Sequence, residues 1–315
     1  GLLEAGAEIK YVYDPDPEKV RTFRETFPQA RAVESLDQIL DDGEIQLVAA
    51  AAIPCDRGPV GMRVLDAGKD YFTDKSPFTT LAQLEEAKAK VAATGRKYMV
   101  YYAERLHQEA GFHAGELIRE GAVGDVVQVL IMAPHRLSRD KRPDWFFEKE
   151  KYGGILTDIG SHQFEQFLTY AGASDARVNL ARVENFASPD KPGLEDFGEA
   201  SLTADNGASC YCRVDWFTPD GLGFWGDGRV FVVGTKGTME VRKYCDVTRQ
   251  GSNKIFLVDG EGEKLIECKG RVAFPFFGQL ILDCLHRTET AMTQKHAFKA
   301  AELSMLAQKM ADEAQ

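Results

Sequence analysis

The sequence has no apolar run long enough to cross a bilayer and no basic run that could follow a nucleic-acid backbone. Its longest apolar stretch, residues 45–54, falls far short of the ~20 residues that a transmembrane helix needs, and Gln46 interrupts it. With 38 Lys and Arg against 49 Asp and Glu, the formal net charge is −11. Neither a membrane nor a nucleic acid is therefore an expected partner.

Cysteine is also scarce, with six residues scattered over 315 positions. A chain of this length does not need disulfides to form a core, so we expect reduced thiols and a cytoplasmic location. Cys210 and Cys212 lie two apart in a strand-like run and should share one face of it. A metal pair would need two further ligands nearby. Because none is evident, we expect ordinary packing and no metal site.

The length and the order of predicted elements indicate two domains, although one long domain remains possible. Up to the helix near residues 109–120, strands alternate with helices, one of them over residues 59–67, and some strands are too apolar to have a solvent face. Beyond it, eight alternating strands surround one helix at 155–171, and two helices close the chain. We predict a Rossmann-type, doubly wound parallel sheet domain over residues 1–124 and an α+β domain with a large, mainly antiparallel sheet over residues 125–315.

A glycine-rich phosphate loop is missing from the sequence. Asp14 ends the first strand, where a dinucleotide-binding fold places an acid against the adenosine ribose, and such an acid favours NAD over NADP. The loop normally lies ~20 residues before that acid, but only 13 residues precede Asp14. We expect the loop to lie upstream of Gly1, with residues 1–6 ending the following helix at Gly6. The alternative is that Asp14 merely begins the turn before Pro15.

Two motifs carry residues suited to proton transfer. The strand at 70–74 ends in Asp74-Lys75-Ser76-Pro77, and residues 152–162 read Tyr-Gly-Gly-Ile-Leu-Thr-Asp-Ile-Gly-Ser-His. Asp158 and His162 are four apart, so on a helix they project from one face. A carboxylate beside an imidazole can orient the ring and raise its basicity. Taken alone, this spacing also fits a capped helix with a buried, hydrogen-bonded histidine.

The two motifs together resemble those of the Gfo/Idh/MocA oxidoreductases, in which the strand ends in Glu-Lys-Pro and a glycine run precedes Asp-x-Gly-x-His. The resemblance implies that Lys75, Asp158 and His162 are catalytic and that Lys75 also lies near the nicotinamide. Pro54 agrees with a family loop beside the nicotinamide, and Arg105 matches a common arginine, so we assign both to cofactor binding. The family also implies a homodimer or homotetramer formed through a sheet face.

Three residues between the first strand of the second domain and the His162 helix are candidates for substrate binding. His135 or Arg136 can grip a hydroxyl or carboxylate, and Trp145 can stack on a sugar face, although aromatic residues are more often core. The expected reaction is hydride transfer between a hydroxyl-bearing carbon of a sugar, polyol or sugar acid and NAD. The alternatives are a redox-neutral NAD-dependent glycosidase and a non-catalytic nucleotide- or sugar-binding sensor.

Overall fold

The computed structural model describes residues 1–247 and 251–314, and its amino-terminal part alternates strands with helices. The strands are β1 (Tyr11–Val12), β2 (Arg31–Ala32), β3 (Leu47–Ala50), β4 (Asp70–Asp74) and β5 (Tyr98–Tyr101). The helices are α1 (Pro17–Thr26), α2 (Leu36–Leu40), α3 (Pro54–Asp66), α4 (Leu81–Thr94), α5 (Ala103–Leu106) and α6 (Glu109–Arg119). All strand pairs here are parallel, in the orders β1-β2 and β3-β4-β5, which confirms the predicted Rossmann-type domain.

Local capping explains where several of these helices begin and end. The Asp16 side chain accepts a hydrogen bond from the Glu18 amide at the start of α1, and Thr80 does the same for the Gln83 amide in α4. Gly95 ends α4 in the left-handed region at φ 64°. The predicted helix at 59–67 begins earlier, at Pro54, because a proline is well suited to the first helical position.

The second part of the chain contains one large sheet. Its strands are β6 (Val126–Pro134), β7 (Ala176–Glu184), β8 (Phe197–Ala204), β9 (Ser209–Asp215), β10 (Arg229–Gly234), β11 (Gly237–Arg242), β12 (Lys254–Asp259) and β13 (Gly262–Glu267). They pair in the order β13-β12-β11-β10-β6-β9-β8-β7, and every pair is antiparallel except β6 with β9. The predicted large, mainly antiparallel sheet is confirmed, whereas the division at residue 124 stays a prediction.

The second part of the chain also contains helices. They are α7 (Lys149–Tyr152), α8 (Ile155–Asp158), α9 (Gly160–Ala171), α10 (Phe276–His286) and α11 (Gln294–Glu313), with short 3₁₀ helices at Arg139–Lys141 and Asp144–Phe147. Of these, α8, α9 and α11 contact strands of the large sheet, whereas α10 packs on the amino-terminal strands, where Phe276 lies against Phe72 and Tyr101. A single helix was predicted at 155–171, but the structure divides it into α8 and α9 at Ile159. There the His162 amide donates to the carbonyl of Ile159, three residues back, as in a 3₁₀ turn. α11 packs against α4 and β5 as well as α9 and β7, so it joins the two parts of the chain.

Cys210 and Cys212 share the buried face of β9, as their spacing predicts, and all six cysteines are free. Within residues 1–247 and 251–314, no helix is both long and apolar enough to span a membrane. The same residues contain no group of three or more His, Cys, Asp or Glu side chains arranged to hold a metal ion.

Candidate active site

Lys75 follows β4 directly, at the edge of the sheet where the carboxyl ends of the parallel strands meet. The loop that carries it is held by Arg57 of α3, a buried residue that the sequence analysis did not single out. The Arg57 guanidinium donates to the carbonyl oxygens of Asp74 at 3.4 Å and Ser76 at 3.2 Å, and also to that of Lys75. The Lys75–Ser76 peptide bond is cis. Three backbone carbonyls that accept from one guanidinium fix the position of the Lys75 backbone.

The ammonium group of Lys75 contacts the carboxylate of Asp158 at the end of α8. Lys75 Nζ lies 2.6 Å from Asp158 Oδ1, and the two side chains are only 14% and 12% exposed. Such a short charge-assisted hydrogen bond restrains both side chains. The structure therefore brings together two of the three residues that were predicted to be catalytic.

His162 lies in the first turn of α9 and is buried. Burial lowers the pKa of its imidazole to about 3; the negative charge of Glu104 opposes this shift, whereas Lys75, Lys243 and His135 add to it. Nδ1 of the ring is buried and finds no hydrogen-bond partner among the described residues. The ring is consequently neutral near neutral pH, which is the state that can accept a proton.

Lys75 and His162 line the same cleft, which has a volume of about 530 Å³. One wall carries aromatic side chains, and the Tyr101 hydroxyl and His107 Nδ1 lie 2.7 Å apart within it. The lining residues are Gly1, Lys75, Tyr101, Ala103, Glu104, His107, Ile159, His162, Trp225, Tyr244 and Phe277. A cleft of this size, with polar groups at one end and rings along a wall, is large enough for a small hydroxylated molecule.

A cluster of buried polar side chains shares Glu104 with the lining of the cleft. Glu104, in α5 just beyond β5, accepts from Lys243 Nζ at 3.0 Å and lies 2.9 Å from His135 Nε2. Lys243 Nζ also donates to Gln166 Oε1 at 2.8 Å, and Gln163 Nε2 donates to Glu104 at 3.2 Å. Burial alone would raise the pKa of Glu104, but Lys243 and then the two histidines hold it well below its ordinary value. The cluster thus keeps a carboxylate ionised in the core.

The residues predicted to bind the cofactor do not lie together. Asp14 lies two residues beyond β1, where its Oδ1 accepts from the Asp16 amide at 2.9 Å and is 3.9 Å from Lys19 Nζ. Its Oδ2 makes no hydrogen bond to the described residues, so this half-buried oxygen fits the expected contact with a ribose hydroxyl. Pro54 begins α3 and is buried. Arg105 instead contacts buried Glu165 through Nε at 2.9 Å. Its cofactor contact stays a prediction.

The predicted substrate-binding residues are also dispersed. His135 belongs to the buried cluster, and its ring lies 4.2 Å from that of Trp225 between centroids. Arg136 donates to the carbonyl oxygens of Pro219 at 3.2 Å and Phe224 at 3.0 Å, so it holds the loop that carries Trp225. Trp145 is half-buried in a 3₁₀ helix. None of the three predicted residues lines the cleft itself.

Sequence reasoning missed Glu104, Lys243 and Tyr244 as residues of the site. Glu104 had a usable signal, because it follows the last parallel strand, and side chains at the carboxyl ends of such strands converge on a binding crevice. Lys243 and Tyr244 had none, because they reach the site only through the pairing of β10 and β11 in the distant sheet.

Comparison with known protein families matches both parts of the chain. Residues 3–102 match the "Oxidoreductase family, NAD-binding Rossmann fold" and residues 113–240 match the "GFO/IDH/MocA C-terminal domain". The chain belongs to the Gfo/Idh/MocA family. This confirms the resemblance that Lys75, Asp158 and His162 suggested, and it supports an oxidoreductase with a nicotinamide cofactor.

Individual Gfo/Idh/MocA relatives extend the comparison. An oxidoreductase of Synechocystis sp. is 23% identical over 238 residues, which are 72% of this chain but only 63% of that protein. A crystal structure described as an oxidoreductase from Erwinia carotovora atroseptica SCRI1043 is 49% identical, with a TM-score of 0.96 over 98% of this chain and 93% of that one. Levoglucosan dehydrogenase in complex with NADH and levoglucosan has a TM-score of 0.81 at 15% identity, over 97% of this chain and 88% of its own, and shows the fold alone.

Proposed function

We propose that this protein is an NAD-dependent dehydrogenase that transfers a hydride between a hydroxyl-bearing carbon of a sugar, polyol or sugar acid and the nicotinamide. The observation that carries the proposal is the pairing of a restrained lysine with a neutral histidine on one cleft. Lys75 is held by Asp158 at 2.6 Å, and His162 has a pKa of about 3, so a cation and a base face one cavity. The sugar dehydrogenase among the structural relatives agrees with this substrate class.

The mechanism follows from the charge states of these groups. The neutral His162 imidazole accepts the hydroxyl proton of the substrate, and the Lys75 ammonium stabilises the negative charge that develops on the substrate oxygen. NAD, when bound, would accept the hydride of the substrate C–H bond, so that the alcohol becomes a carbonyl. Asp158 keeps the ammonium in place throughout.

Three residues are proposed to hold NAD. Asp14 would accept hydrogen bonds from the adenosine ribose through its free carboxylate oxygen, and this acid disfavours the 2′-phosphate of NADP. Pro54 and Lys75 lie at the carboxyl ends of neighbouring parallel strands, where a nicotinamide ring would enter the crevice. The proposed location of the protein is the cytoplasm, in keeping with its free cysteines.

We propose that the open face of the large sheet forms a homodimer or homotetramer. Apolar side chains on this face are exposed, among them Leu180 at 52%, Val258 at 44% and Leu265 at 49%. Apolar residues spread over several strands are typical of a protein interface. Light scattering after gel filtration should give a mass of at least two chains, and Val258→Asp should lower it.

The dehydrogenase proposal is tested by measuring the absorbance of reduced nicotinamide with NAD and a panel of sugars, inositols and sugar acids. We expect steady NADH formation with at least one of them, a loss of about 10²- to 10³-fold in kcat for Lys75→Met, and no change for Lys295→Met. Lys295 is an exposed lysine at the start of α11 and serves as the matched control. Tight NAD binding without net reduction would instead favour the redox-neutral glycosidase or the sensor.

A further inference from the structure

The buried cluster of Glu104, His135 and Lys243 contains charged groups that the packing of a protein core does not require. Glu104, His135 and Lys243 have side chains that are 6%, 2% and 0% exposed, yet they contain at least one carboxylate and one ammonium group. Removing two such charges from water costs several kcal/mol each, and apolar side chains of the same volume are often at least as stable. A cluster of this kind is therefore expected to serve a purpose other than stability.

His162 lacks the support that a catalytic imidazole usually has. Its Nδ1 has no acceptor among the described residues, so no hydrogen bond there favours the protonated ring. Asp158, which the sequence analysis expected to orient the ring, is instead bonded to Lys75 at 2.6 Å. The protonated form of His162 can then be stabilised by a charged side chain that lies near the ring without a hydrogen bond to it.

Glu104 carries a negative charge and lies near the His162 ring, so it can stabilise the imidazolium. It lines the cleft together with His162, and its neighbour Tyr102 lies with its ring 6.2 Å from the imidazole between centroids. Both Glu104 carboxylate oxygens are bonded to fixed partners, Oε1 to His135 and Oε2 to Lys243 and Gln163. The negative charge is thus held in one place and cannot turn into the cleft to bind substrate.

We propose that Glu104 is a positioning residue that sets the proton affinity of His162, and that the ammonium group bonded to it, Lys243, opposes this effect. The inference rests on the proposed role of His162 as the proton acceptor and deepens it. The negative charge of Glu104 makes the imidazole a stronger base, while the positive charge of Lys243 acts on the imidazole in the opposite direction.

The other charged groups around His162 act in known directions. Burial lowers its pKa most, Glu104 raises it, and Lys75, Lys243 and His135 lower it in that order. These groups are Glu104 of α5, Lys75 after β4, Lys243 after β11 and His135 after β6. The ring of Tyr102 also lies near the imidazole, and Asp158 of α8 is bonded to Lys75. Replacing Lys243 and replacing Glu104 should therefore shift the titration of His162 in opposite directions.

The test is an NMR titration of the intact, histidine-labelled protein without substrate, from about pH 8 to about pH 4.5. The His162 resonance is assigned as the one that disappears in His162→Gln. In the wild-type protein we expect it to stay at its neutral position. In Lys243→Gln the apparent pKa should rise by at least about one unit, so that the resonance moves at the acid end. In the double variant Lys243→Gln/Glu104→Gln it should again stay neutral.

A second readout applies where NADH formation is detected. At neutral pH, kcat should fall at least about tenfold in Glu104→Gln, because a weaker base accepts the proton more slowly. Glu302→Gln, which changes an ion pair on α11, is the matched control and should change neither measurement. The glutamine at 243 retains a donor for Glu104, which favours folding of the variant.

A His162 resonance that stays neutral in Lys243→Gln, or that moves equally in the single and double variants, would overturn the inference. The titration needs no turnover, so it separates this inference from the proposed function. If His162 titrates as expected but no substrate yields NADH, the dehydrogenase proposal fails while the electrostatic role of Glu104 stands. If NADH forms but the titrations do not differ, only the role of Glu104 fails.

Discussion

Two lysine–carboxylate pairs flank His162, and they differ in their access to the cleft. Lys75 and Asp158 are 14% and 12% exposed and make a single contact of 2.6 Å, whereas Lys243 and Glu104 are 0% and 6% exposed. The second pair is further bonded to His135 and two glutamines. In each pair, one partner follows a parallel strand and the other comes from the second half of the chain.

The difference shows how the same two residue types serve different purposes. The ammonium of Lys75 has hydrogens left for a substrate oxygen, because Asp158 accepts only one of them. The ammonium of Lys243 already donates to Glu104 and Gln166 and does not line the cleft. The first pair can therefore act on the substrate directly, whereas the second contributes only a fixed field.

The largest expected effect is a difference in the free energy of unfolding when the lysine of each pair is replaced. Lys243→Met deprives the buried Glu104 carboxylate of the ammonium that holds its pKa down, so the free energy of unfolding should fall by about 3 to 5 kcal/mol. Lys75→Met should cost less, because the side chains of Lys75 and Asp158 are 14% and 12% exposed and so keep some contact with water. Urea denaturation at neutral pH measures both. Equal losses in the two variants would show that the pairs do not differ as described, and Lys295→Met provides the baseline.

A smaller effect concerns the pH dependence of stability. His162 has a pKa of about 3 in the folded protein and an ordinary value of 6.5 when unfolded. Below pH 6.5 the unfolded chain therefore binds a proton that the folded protein does not, and the native state loses stability progressively until about pH 3. Between about pH 8 and pH 5 this loss is about 2 kcal/mol. His162→Gln should remove that part of the acid sensitivity.

Urea denaturation at the two pH values measures this loss. His286→Gln is the matched control, since His286 is exposed at the end of α10. If His162→Gln retained the full acid sensitivity of the wild-type protein, the buried neutral imidazole would be ruled out.

The residues of the first pair could be identified from sequence because each belongs to a short motif that resembles the Gfo/Idh/MocA pattern. Their contact spans 83 residues and was not itself predicted. The Lys243–Glu104 contact spans 139 residues. No local period encodes such a contact, because it depends on how β11 is placed in the sheet and on how the sheet packs against α5.

The fold shows the same contrast between features that local sequence patterns predict and features that depend on distant contacts. All eight strands of the large sheet were predicted, since each alternates apolar and polar residues. The parallel pairing of β6 with β9 was not, because strand order depends on contacts distant in sequence. The start of α3 was also missed, although Pro54 signalled it. Local patterns thus specify elements and motifs, while the interior of the site is specified by packing.

The smallest expected effect compares the two carboxylates directly through the same chemical change. Asp158→Asn leaves a neutral acceptor for Lys75, so kcat should fall about tenfold, which is about 1.4 kcal/mol. In the Lys243→Gln background, where His162 is expected to titrate, adding Asp158→Asn should leave the titration of His162 where it is. Adding Glu104→Gln should abolish it. If Asp158→Asn and Glu104→Gln changed the pKa of His162 equally, any nearby carboxylate would have the same effect on it, and the specific role of Glu104 would be ruled out.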